Sequence, residues 1–301
     1  MKKKLTIFTT PKPFVDAHIT TIQRNAIRSW LQMGPDVEIL LIGDETGMAE
    51  AAADLGVAHL KGVRRNGHST PLVSSIFQMA REAAQADLLL FTNTDMLFFP
   101  ETLELALNAK QQVGDFVLLG QRQDLDVREA LDFSAGWADR LRDQMLARGR
   151  LHPMGGSDYF IFPRGLFPAI PEFAIGRAGW DNWMIYHAVT QGWTVVDATP
   201  TLTVIHQNHD YAHLPGEQSH QRHPETSENT ELAGGMRHMY MLLDTTHELN
   251  GGKIRRARWS LPRFLRGLER WLQPDELVGR GPRWWALRHV RKLRRVLTEA
   301  K

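Results

Sequence analysis

A short apolar stretch at residues 88–91 constrains the fold more than any other segment, because it leads directly into the polar residues Thr92, Asn93, Thr94 and Asp95. Apolar runs of this length predict strands that are covered on both faces, as in a parallel sheet between helices. Such sheets bind ligands beyond the carboxyl ends of their strands. Asp95 follows such an end, and a carboxylate between two apolar segments needs a hydrogen-bonding, charged or metal partner. From this segment alone, a helix-capping role for Asn93 or Asp95 stays open.

Strand-like and helix-like stretches alternate along the rest of the chain. The apolar patterns predict strands at residues 5–10, 37–42, 57–60, 88–91, 116–119, 159–162, 194–196 and 202–205. Helices are predicted at residues 17–33, 48–55, 71–85, 100–112, 121–150 and 180–191, and a loop at residues 207–235. This alternation predicts an α/β fold with a mixed, mostly parallel sheet flanked by helices.

The composition limits the chemistry that the chain can carry. It contains no cysteine, which excludes disulfides, thiolate metal sites and cysteine nucleophiles. Any metal must be held by oxygen or imidazole ligands, which favours Mg²⁺ or Mn²⁺. No apolar run reaches the length of a membrane span, and the lysine-rich start leads into a strand-like segment instead of a signal peptide. We therefore expect a cytoplasmic protein.

The net charge is +2, but the charged residues are unevenly distributed along the chain. Residues 253–301 carry 15 Lys and Arg against 4 Asp and Glu, so the rest of the chain is acidic. This division predicts a catalytic domain at residues 1–250 and a basic, Trp-rich helical extension at residues 251–301. A basic terminal segment on an acidic body predicts contact with an anionic surface.

In the extension, basic residues alternate with Trp259, Trp271, Trp284 and Trp285 at helical spacing. This pattern is typical of a helix that lies in a membrane interface beside anionic lipids. A helical appendage packed on the catalytic domain or on a second copy is the alternative. Nucleic-acid binding is disfavoured, because no recognition motif accompanies the basic residues and the acidic body would repel phosphate.

The residues Gly155, Gly156, Ser157 and Asp158 precede a predicted strand. The two glycines let backbone amides approach a ligand closely. An ordinary turn before the strand is the alternative interpretation of this segment.

Asp181 lies at the start of a predicted helix, between Trp180 and Trp183 and next to Asn182. A first-turn carboxylate is favoured by the helix dipole and can be a simple cap. The same arrangement suits a sugar site, where aromatic rings stack on a pyranose while the carboxylate accepts a hydroxyl proton.

Three histidines, His206, His209 and His213, fall within eight residues directly after an apolar strand. A single histidine there would be a structural residue, whereas three favour a metal or phosphate site. His206 is the one that the strand orients most rigidly, and the other two are further candidates.

Four of these motifs stand in an order that resembles nucleotide-sugar glycosyltransferases of the GT-A fold, close to the bacterial glycosyltransferase family 2 enzymes. In this chain they are residues 93–95, Gly155 with Gly156, Asp181 and His206. The resemblance covers about residues 5–213 and implies a Rossmann-like nucleotide-diphospho-sugar transferase fold. The chain departs from the family at Asn93, which stands where the DxD motif of the family has its first Asp.

The resemblance implies an inverting, metal-assisted sugar transfer. Asp95 and His206, with His209 as a further ligand, would hold Mn²⁺ or Mg²⁺ against the diphosphate of the donor. Asp181 would deprotonate the acceptor hydroxyl. The donor would be contacted by Thr9, Thr10, Asp44, Arg65, Asn93, Thr94 and Asp95. The acceptor would be contacted by Gly155, Gly156, Ser157, Asp158, Trp180 and Asn182.

The implied partners are a nucleotide-diphosphate sugar and a glycan or lipid-linked acceptor, in surface polysaccharide synthesis at the inner face of the cell membrane. Two alternatives remain open. A nucleotidyltransferase that forms nucleotide-sugars would resemble its family in a glycine-rich basic loop after the first strand, which residues 9–13 lack. A non-catalytic glycan-binding protein of the same fold is kept open by Asn93.

Overall fold

The computed structural model describes residues 2–209, 223–274 and 279–299. Its main sheet is built from β1 (Leu5–Thr9), β2 (Val37–Ile42), β3 (Ala58–Leu60), β4 (Leu88–Thr92), β6 (Phe116–Leu119), β9 (Tyr159–Pro163), β10 (Thr194–Asp197), β12 (His247–Asn250) and β13 (Lys253–Arg256). Within the described residues these strands lie in the order β13, β12, β10, β6, β9, β4, β1, β2, β3. A smaller sheet contains β5 (Met96–Phe98), β11 (Val204–Gln207), β7 (Gln123–Leu125) and β8 (Arg150–Leu151), in that order.

The main sheet is mostly parallel, as predicted. Strand β1 runs parallel to β2 and β4, and β10 runs parallel to β6 and β12. Strand β9 is antiparallel to both β4 and β6, and β13 is antiparallel to β12. Because β9 runs against its neighbours, the loop that precedes it opens at the edge where β1 and β4 end. The fold class predicted from the sequence is therefore confirmed.

Helices cover both faces of the main sheet, which explains the fully apolar strands. On one face, α1 (Ala17–Leu31), α2 (Met48–Leu55) and α4 (Thr102–Gln112) contribute to a single buried apolar cluster. On the other face, α3 (Val73–Ala83) and α6 (Trp180–Thr190) pack in a second cluster that is rich in aromatic rings. A third cluster lies between the smaller sheet and α5 (Trp137–Arg148).

Two predictions about secondary structure before the basic extension were wrong. Residues 121–150 were predicted to be helical throughout, but β7 and β8 flank α5 in this segment. Residues 207–235 were predicted to form a loop, but α7 (Pro224–Leu232) lies within them. Neither β7 nor α7 shows a periodic pattern of apolar residues from which it could be predicted. Pairing with β11 forms β7, whereas α7 is held by the buried polar residues Glu225 and Asn229.

The basic extension begins with a strand instead of the predicted helix. Residues 253–256 form β13, which completes the main sheet against β12, and α8 (Leu261–Leu272) and α9 (Pro282–Glu299) follow. The two helices pack as a hairpin around the buried carboxylate of Glu269, which accepts from Arg291 Nε at 2.6 Å and Arg294 Nε at 2.8 Å. In the described parts of the chain, no helix is long and apolar enough to cross a membrane.

Candidate active site

Asp95 lies between the carboxyl end of β4 and the start of β5, where the sequence placed it. Only 13% of its side chain is exposed. The hydroxyl of the preceding Thr94 is 2.7 Å from that of Thr9, which ends β1. This contact ties together the ends of two neighbouring strands and fixes the loop that carries Asp95.

The smaller sheet brings His206 beside Asp95. In this sheet β11 lies between β5 and β7, so His206 pairs in register with Met96 on one side and Asp124 on the other. Its imidazole Nε2 is 3.7 Å from Asp95 Oδ2, and its Nδ1 is 3.3 Å from Asp124 Oδ1. His206 lies within β11, not after it, so the strand itself sets the direction of the ring.

His209 approaches the same carboxylate from the end of β11. Its Nε2 is 3.1 Å from Asp95 Oδ2 and 3.4 Å from Lys12 Nζ. The other candidate of this run, His213, lies outside the described residues. The structure therefore brings together the three residues that the sequence proposed as metal ligands, and it adds a lysine.

The charges around Asp95 keep it strongly anionic. Burial by itself would raise the pKa of Asp95, but the neighbouring His206, His209 and Lys12 outweigh that effect and hold the pKa well below its usual value. In turn, burial lowers the pKa of His206, and the carboxylates of Asp95 and Asp124 more than reverse this, so that the pKa is raised. The cluster thus combines a permanently charged carboxylate with two imidazoles.

Among the described residues, one oxygen of the Asp95 carboxylate, the buried Oδ1, accepts no hydrogen bond. One ligand atom each from Asp95, His206 and His209 lies within 4.8 Å of the other two. Carboxylate oxygen and imidazole nitrogen are ligands that Mn²⁺ accepts, and a buried unpaired oxygen is what a cation would satisfy. The geometry of these three residues therefore fits a divalent metal ion.

Asn93 and Asp158 bind each other instead of pointing to open space. The Asn93 Nδ2 donates to Asp158 Oδ1 at 2.9 Å, and Asn93 N donates to Asp158 O at 3.1 Å. The other oxygen of Asp158 forms a close ion pair with Arg122. These contacts occupy both side chains and connect the Asp95 loop to the loop before β9.

Asp181 lies in the first turn of α6, at the same edge of the sheet. Its Oδ2 accepts from Ser157 N at 3.1 Å. Burial and the charge of Asp158 together raise the pKa of Asp181 to about 6, against the hydrogen bond from Ser157. A carboxylate with a pKa near neutrality can accept a proton during a reaction, as a general base must.

The loop before β9 is shaped around this carboxylate. A Cβ atom added at Gly156 would lie 2.9 Å from Asp181 Oδ2, whereas one added at Gly155 would meet nothing within 4 Å. Asn182 Nδ2 donates to Gly155 O at 3.1 Å and to Tyr240 O at 2.6 Å. Gly156 therefore allows the close approach, and Asn182 fixes the loop.

Trp180 is not placed as the sequence suggested. Its ring packs edge-on against Phe91 at 5.1 Å between centroids and is only 5% exposed. Trp183 is similarly buried against Phe173. Because both indoles complete the aromatic cluster beneath α6, neither offers a free face for stacking on an acceptor sugar.

The predicted donor residues are spread along the ends of β1, β2 and the following loops. Thr10 Oγ1 is buried and has no hydrogen-bond partner among the described residues. Asp44 is exposed and its carboxylate accepts from Gly62 N at 3.0 Å. Arg65 donates to Glu45 Oε1 at 2.7 Å and to Ser69 O at 2.8 Å, so its guanidinium is engaged within its own region.

Four residues of the site were missed in the sequence. Lys12 follows β1 by three residues, and its position near a strand end was the signal that could have marked it. Arg122 and Asp124 lie beside and in β7, within the residues 121–150 that were predicted to be helical, and His152 directly follows β8. Without the pairing of β7 with β11, nothing in the sequence connects these residues to His206.

No protein-family model matches the chain, and no curated protein matches its sequence. Several solved structures of glycosyltransferases resemble it at low identity. Glucosyl-3-phosphoglycerate synthase from Mycobacterium tuberculosis, in complex with Mn²⁺, UDP and glucosyl-3-phosphoglycerate, is 13% identical with a TM-score of 0.47. The match covers 78% of this chain and 81% of that one. The same enzyme with Mn²⁺, UDP and phosphoglyceric acid is 15% identical, with 94% and 91% of the chains covered and a TM-score of 0.46.

A mannosyltransferase from Pyrobaculum calidifontis, in complex with GDP-Man and Mn²⁺, is also similar. It is 10% identical with a TM-score of 0.46, and the match covers 99% of this chain and 71% of that one. At this distance the likeness to these structures assigns no activity, so the function has to be argued from the site itself.

Proposed function

We propose that the chain is a glycosyltransferase of the GT-A type, which moves a sugar from a nucleotide-diphosphate donor to an acceptor hydroxyl. The observation that carries this proposal is the pairing of two unlike carboxylates at one edge of the sheet. Asp95 is kept ionised among His206, His209 and Lys12, whereas burial raises the pKa of Asp181 to about 6. Two carboxylates with separated pKa values suit one electrostatic role and one proton-transfer role.

Asp95, His206 and His209 would hold Mn²⁺ or Mg²⁺ in this reaction. Two observations support this role: the buried Oδ1 of Asp95 accepts no hydrogen bond from the part of the chain that the structure describes, and the three ligand atoms are closely spaced. Once bound, the metal would neutralise charge on the diphosphate as the nucleotide leaves. The Lys12 ammonium lies beside His209 and would add a second positive charge on the side of the phosphates.

Asp181 would act as the base. Its Oδ2 is held by Ser157 N, which orients the carboxylate without neutralising it. The Oδ atoms would take the proton of the acceptor hydroxyl as that oxygen attacks the anomeric carbon and the bond from the sugar to the diphosphate breaks. Attack from the face opposite the leaving group inverts the configuration.

The residues at the strand ends would form the two halves of the substrate site. Thr9 and Thr10 lie at the end of β1, Asp44 follows β2 and Arg65 lies in the loop after β3. These residues would contact the nucleoside and phosphates of the donor. Asn93, Thr94 and Asp158 would shape the wall between the two halves. Gly155, Gly156, Ser157 and Asn182 line the approach to Asp181 and would contact the acceptor.

A panel of UDP-sugars and GDP-sugars tests this proposal. With Mn²⁺ present, we expect at least one donor to bind and to release its nucleoside diphosphate slowly to water. The Asp95→Ala variant should lose the metal dependence of donor binding, measured by calorimetry with and without Mn²⁺. Pyrophosphate release from a nucleoside triphosphate and a sugar phosphate would instead identify a nucleotidyltransferase. Absence of donor binding throughout would favour a non-catalytic glycan-binding protein.

We further propose that the α8–α9 hairpin contacts an anionic membrane, where a lipid-linked acceptor for a surface polysaccharide would be presented. Helix α8 exposes Leu261, Phe264 and Trp271, and Phe264 and Trp271 are seven residues apart and so share one face of the helix. Helix α9 exposes Trp285, Leu293 and Val296 among the exposed basic residues Arg288, Lys292 and Arg295. Aromatic and basic side chains together on an outer helix face suit the interface of an anionic bilayer.

Vesicle flotation tests this contact. The full chain should float with vesicles that contain an anionic phospholipid and should float less with neutral vesicles or at high salt. The double variant Phe264→Ser with Trp271→Ser should lose most of the binding. Leu146→Ser is the matched control, because Leu146 is 78% exposed on α5, away from the hairpin. Unchanged flotation of the double variant would contradict the proposal.

A further inference from the structure

We propose that Asp124 is a positioning residue, which holds the imidazole of His206 so that its Nε2 faces Asp95. The role rests in part on the proposed function, because the Nε2 so presented would be the metal ligand. Asp124 itself would touch neither the metal nor a substrate.

The strand pairing places Asp124 for this role. Strands β7 and β11 run parallel, with Asp124 and His206 as direct partners in register. The carboxylate Oδ1 of Asp124 is 3.3 Å from Nδ1 of His206, which is an ion-pair distance, and Nδ1 forms no hydrogen bond with any described residue. The other ring nitrogen, Nε2, lies 3.7 Å from Asp95 Oδ2. An imidazole has two ring nitrogens. With the Asp124 carboxylate beside Nδ1, the other nitrogen, Nε2, is the one that faces Asp95 and His209.

The carboxylate of Asp124 is itself held from two other directions. Arg122 Nε donates to Oδ1 at 2.9 Å, and His152 Nδ1 lies 2.7 Å from Oδ2. The other end of the Arg122 guanidinium forms the close ion pair with Asp158. These contacts hold the Asp124 carboxylate in a fixed position beside His206.

A simpler role would be to neutralise Arg122. That role explains why Asp124 Oδ1 accepts a hydrogen bond from Arg122 Nε. It does not explain why Nδ1 of His206 lies close to the same oxygen. The two roles differ in what they expect of an amide side chain at this position. The Asp124→Asn variant would keep an oxygen acceptor beside Nδ1 and lose the charge that Arg122 needs.

The test uses Mn²⁺ alone, without any donor. We expect Asp124→Ala to weaken Mn²⁺ binding by roughly 10- to 100-fold, which is the usual effect of losing a partner behind a histidine ligand. Asp124→Asn should bind with an affinity between those of the wild type and Asp124→Ala. Asp126→Asn, which changes an exposed carboxylate two residues along the same segment, should bind Mn²⁺ like the wild type. Equal affinity of Asp124→Ala and the wild type would overturn the proposal, as would equal loss in Asp124→Asn and Asp124→Ala.

A second measurement separates failure of this proposal from failure of the proposed function. In metal-free protein labelled with ¹⁵N histidine, the Nδ1 resonance of His206 should shift in Asp124→Ala and shift less in Asp124→Asn. If the wild type binds no Mn²⁺ but shows this shift, the positioning role stands and the metal role fails. An Nδ1 resonance that is the same in the wild type and in Asp124→Ala would refute the positioning role in either case.

Discussion

At the scale of single residues, the protein shifts the pKa values of two carboxylates at one edge of the sheet in opposite directions. Asp95 and Asp181 are both partly buried, yet the pKa of Asp95 is lowered and that of Asp181 is raised. The difference comes from the neighbours, because Asp95 faces two imidazoles and a lysine while Asp181 faces backbone amides and the charge of Asp158. Burial alone would have raised both.

The first prediction concerns Asp181→Asn, which should strongly reduce sugar transfer. We expect turnover to fall by about 10²- to 10⁴-fold with donor binding unchanged, since only the proton acceptor is lost. The turnover of the wild type should rise with pH through about 6, where Asp181 loses its proton. Initial rates over this pH range, with calorimetry of donor binding as the control, check both expectations. Turnover near the wild-type value would exclude Asp181 as the base.

The same substitution should stabilise the fold at neutral pH. The raised pKa means that the folded state favours the protonated carboxyl, so its contribution to stability is complete below the ordinary pKa and is lost as pH rises through about 6. The loss amounts to about 3 kcal/mol for a shift of this size. Asp181→Asn avoids it, and urea unfolding at pH 4 and pH 8 should show a gain for the variant at pH 8 alone.

The second prediction uses the close contact between Gly156 and Asp181. Gly156→Ala should push the Asp181 carboxylate away from its position, because the added Cβ would lie 2.9 Å from Oδ2. Gly165→Ala, just after β9, is the matched control, since its Cβ would meet no described atom within 4 Å. We expect turnover to fall more than tenfold for Gly156→Ala and to change little for Gly165→Ala. Equal activities would show that the close approach has no catalytic role.

At the scale of elements, the α8–α9 hairpin depends on a buried acidic residue. Glu269 accepts from Arg291 and Arg294, and Arg266 Nη1 lies 3.5 Å from its Oε2. Burial raises the pKa of Glu269, but these arginines outweigh it and lower the pKa. The stabilisation is therefore present above the ordinary pKa of a glutamate and is lost as pH falls through the lowered value.

The third prediction follows for Glu269→Gln. Removing one partner of a buried ion cluster leaves uncompensated charges, which costs about 3–5 kcal/mol. We expect faster hydrogen exchange in α8 and α9, while the main sheet keeps its protection. Asp139→Asn is the control, because Asp139 pairs with Arg142 in an exposed contact that should contribute less than about 1 kcal/mol. Unaltered exchange in both helices would argue against the role of Glu269.

At the scale of the whole molecule, a ligand that binds only the folded state stabilises all of it. The ligand atoms of the Asp95 cluster come from segments more than one hundred residues apart in the chain, so unfolding separates them. The fourth prediction is that Mn²⁺ at about 100 times its dissociation constant adds about 2.7 kcal/mol to the free energy of unfolding. Asp95→Ala should remove this gain, and His68→Ala, which changes an exposed histidine elsewhere, should keep it. Thermal unfolding with and without Mn²⁺ measures the difference, and a gain that survives in Asp95→Ala would place the metal elsewhere.

The sequence predicted much of this molecule from local patterns. The apolar run before Asn93 marked a strand covered on both faces, and the alternation of helices and strands indicated a mostly parallel sheet. These predictions succeed because burial on both faces selects apolar residues at every position of a strand. Asp95, Asp181 and His206 could be identified from the sequence as candidate site residues, because each adjoins or lies within a predicted strand or helix.

Other parts of the site could not be read from local patterns. Strand β7 is short and polar, and only its pairing with β11 makes it a strand, so Arg122 and Asp124 were missed. Trp180 was assigned to the acceptor site because an aromatic ring beside the Asp181 carboxylate suits stacking on a sugar. Its ring is instead enclosed by phenylalanines from β4, α3 and β9. Side-chain burial is a property of the packed molecule, and a local pattern does not contain it.

The sequence by itself determined the α/β class of the fold, the strand end that carries Asp95 and the basic character of the C-terminal segment. These depend on composition and on periodicity within single elements. Only the tertiary structure decided that His206 lies between Asp95 and Asp124, that Asn93 binds Asp158, and that the pKa of Asp181 is raised. Each of these depends on which distant segments share a sheet edge, and strand order is set by packing of the whole chain.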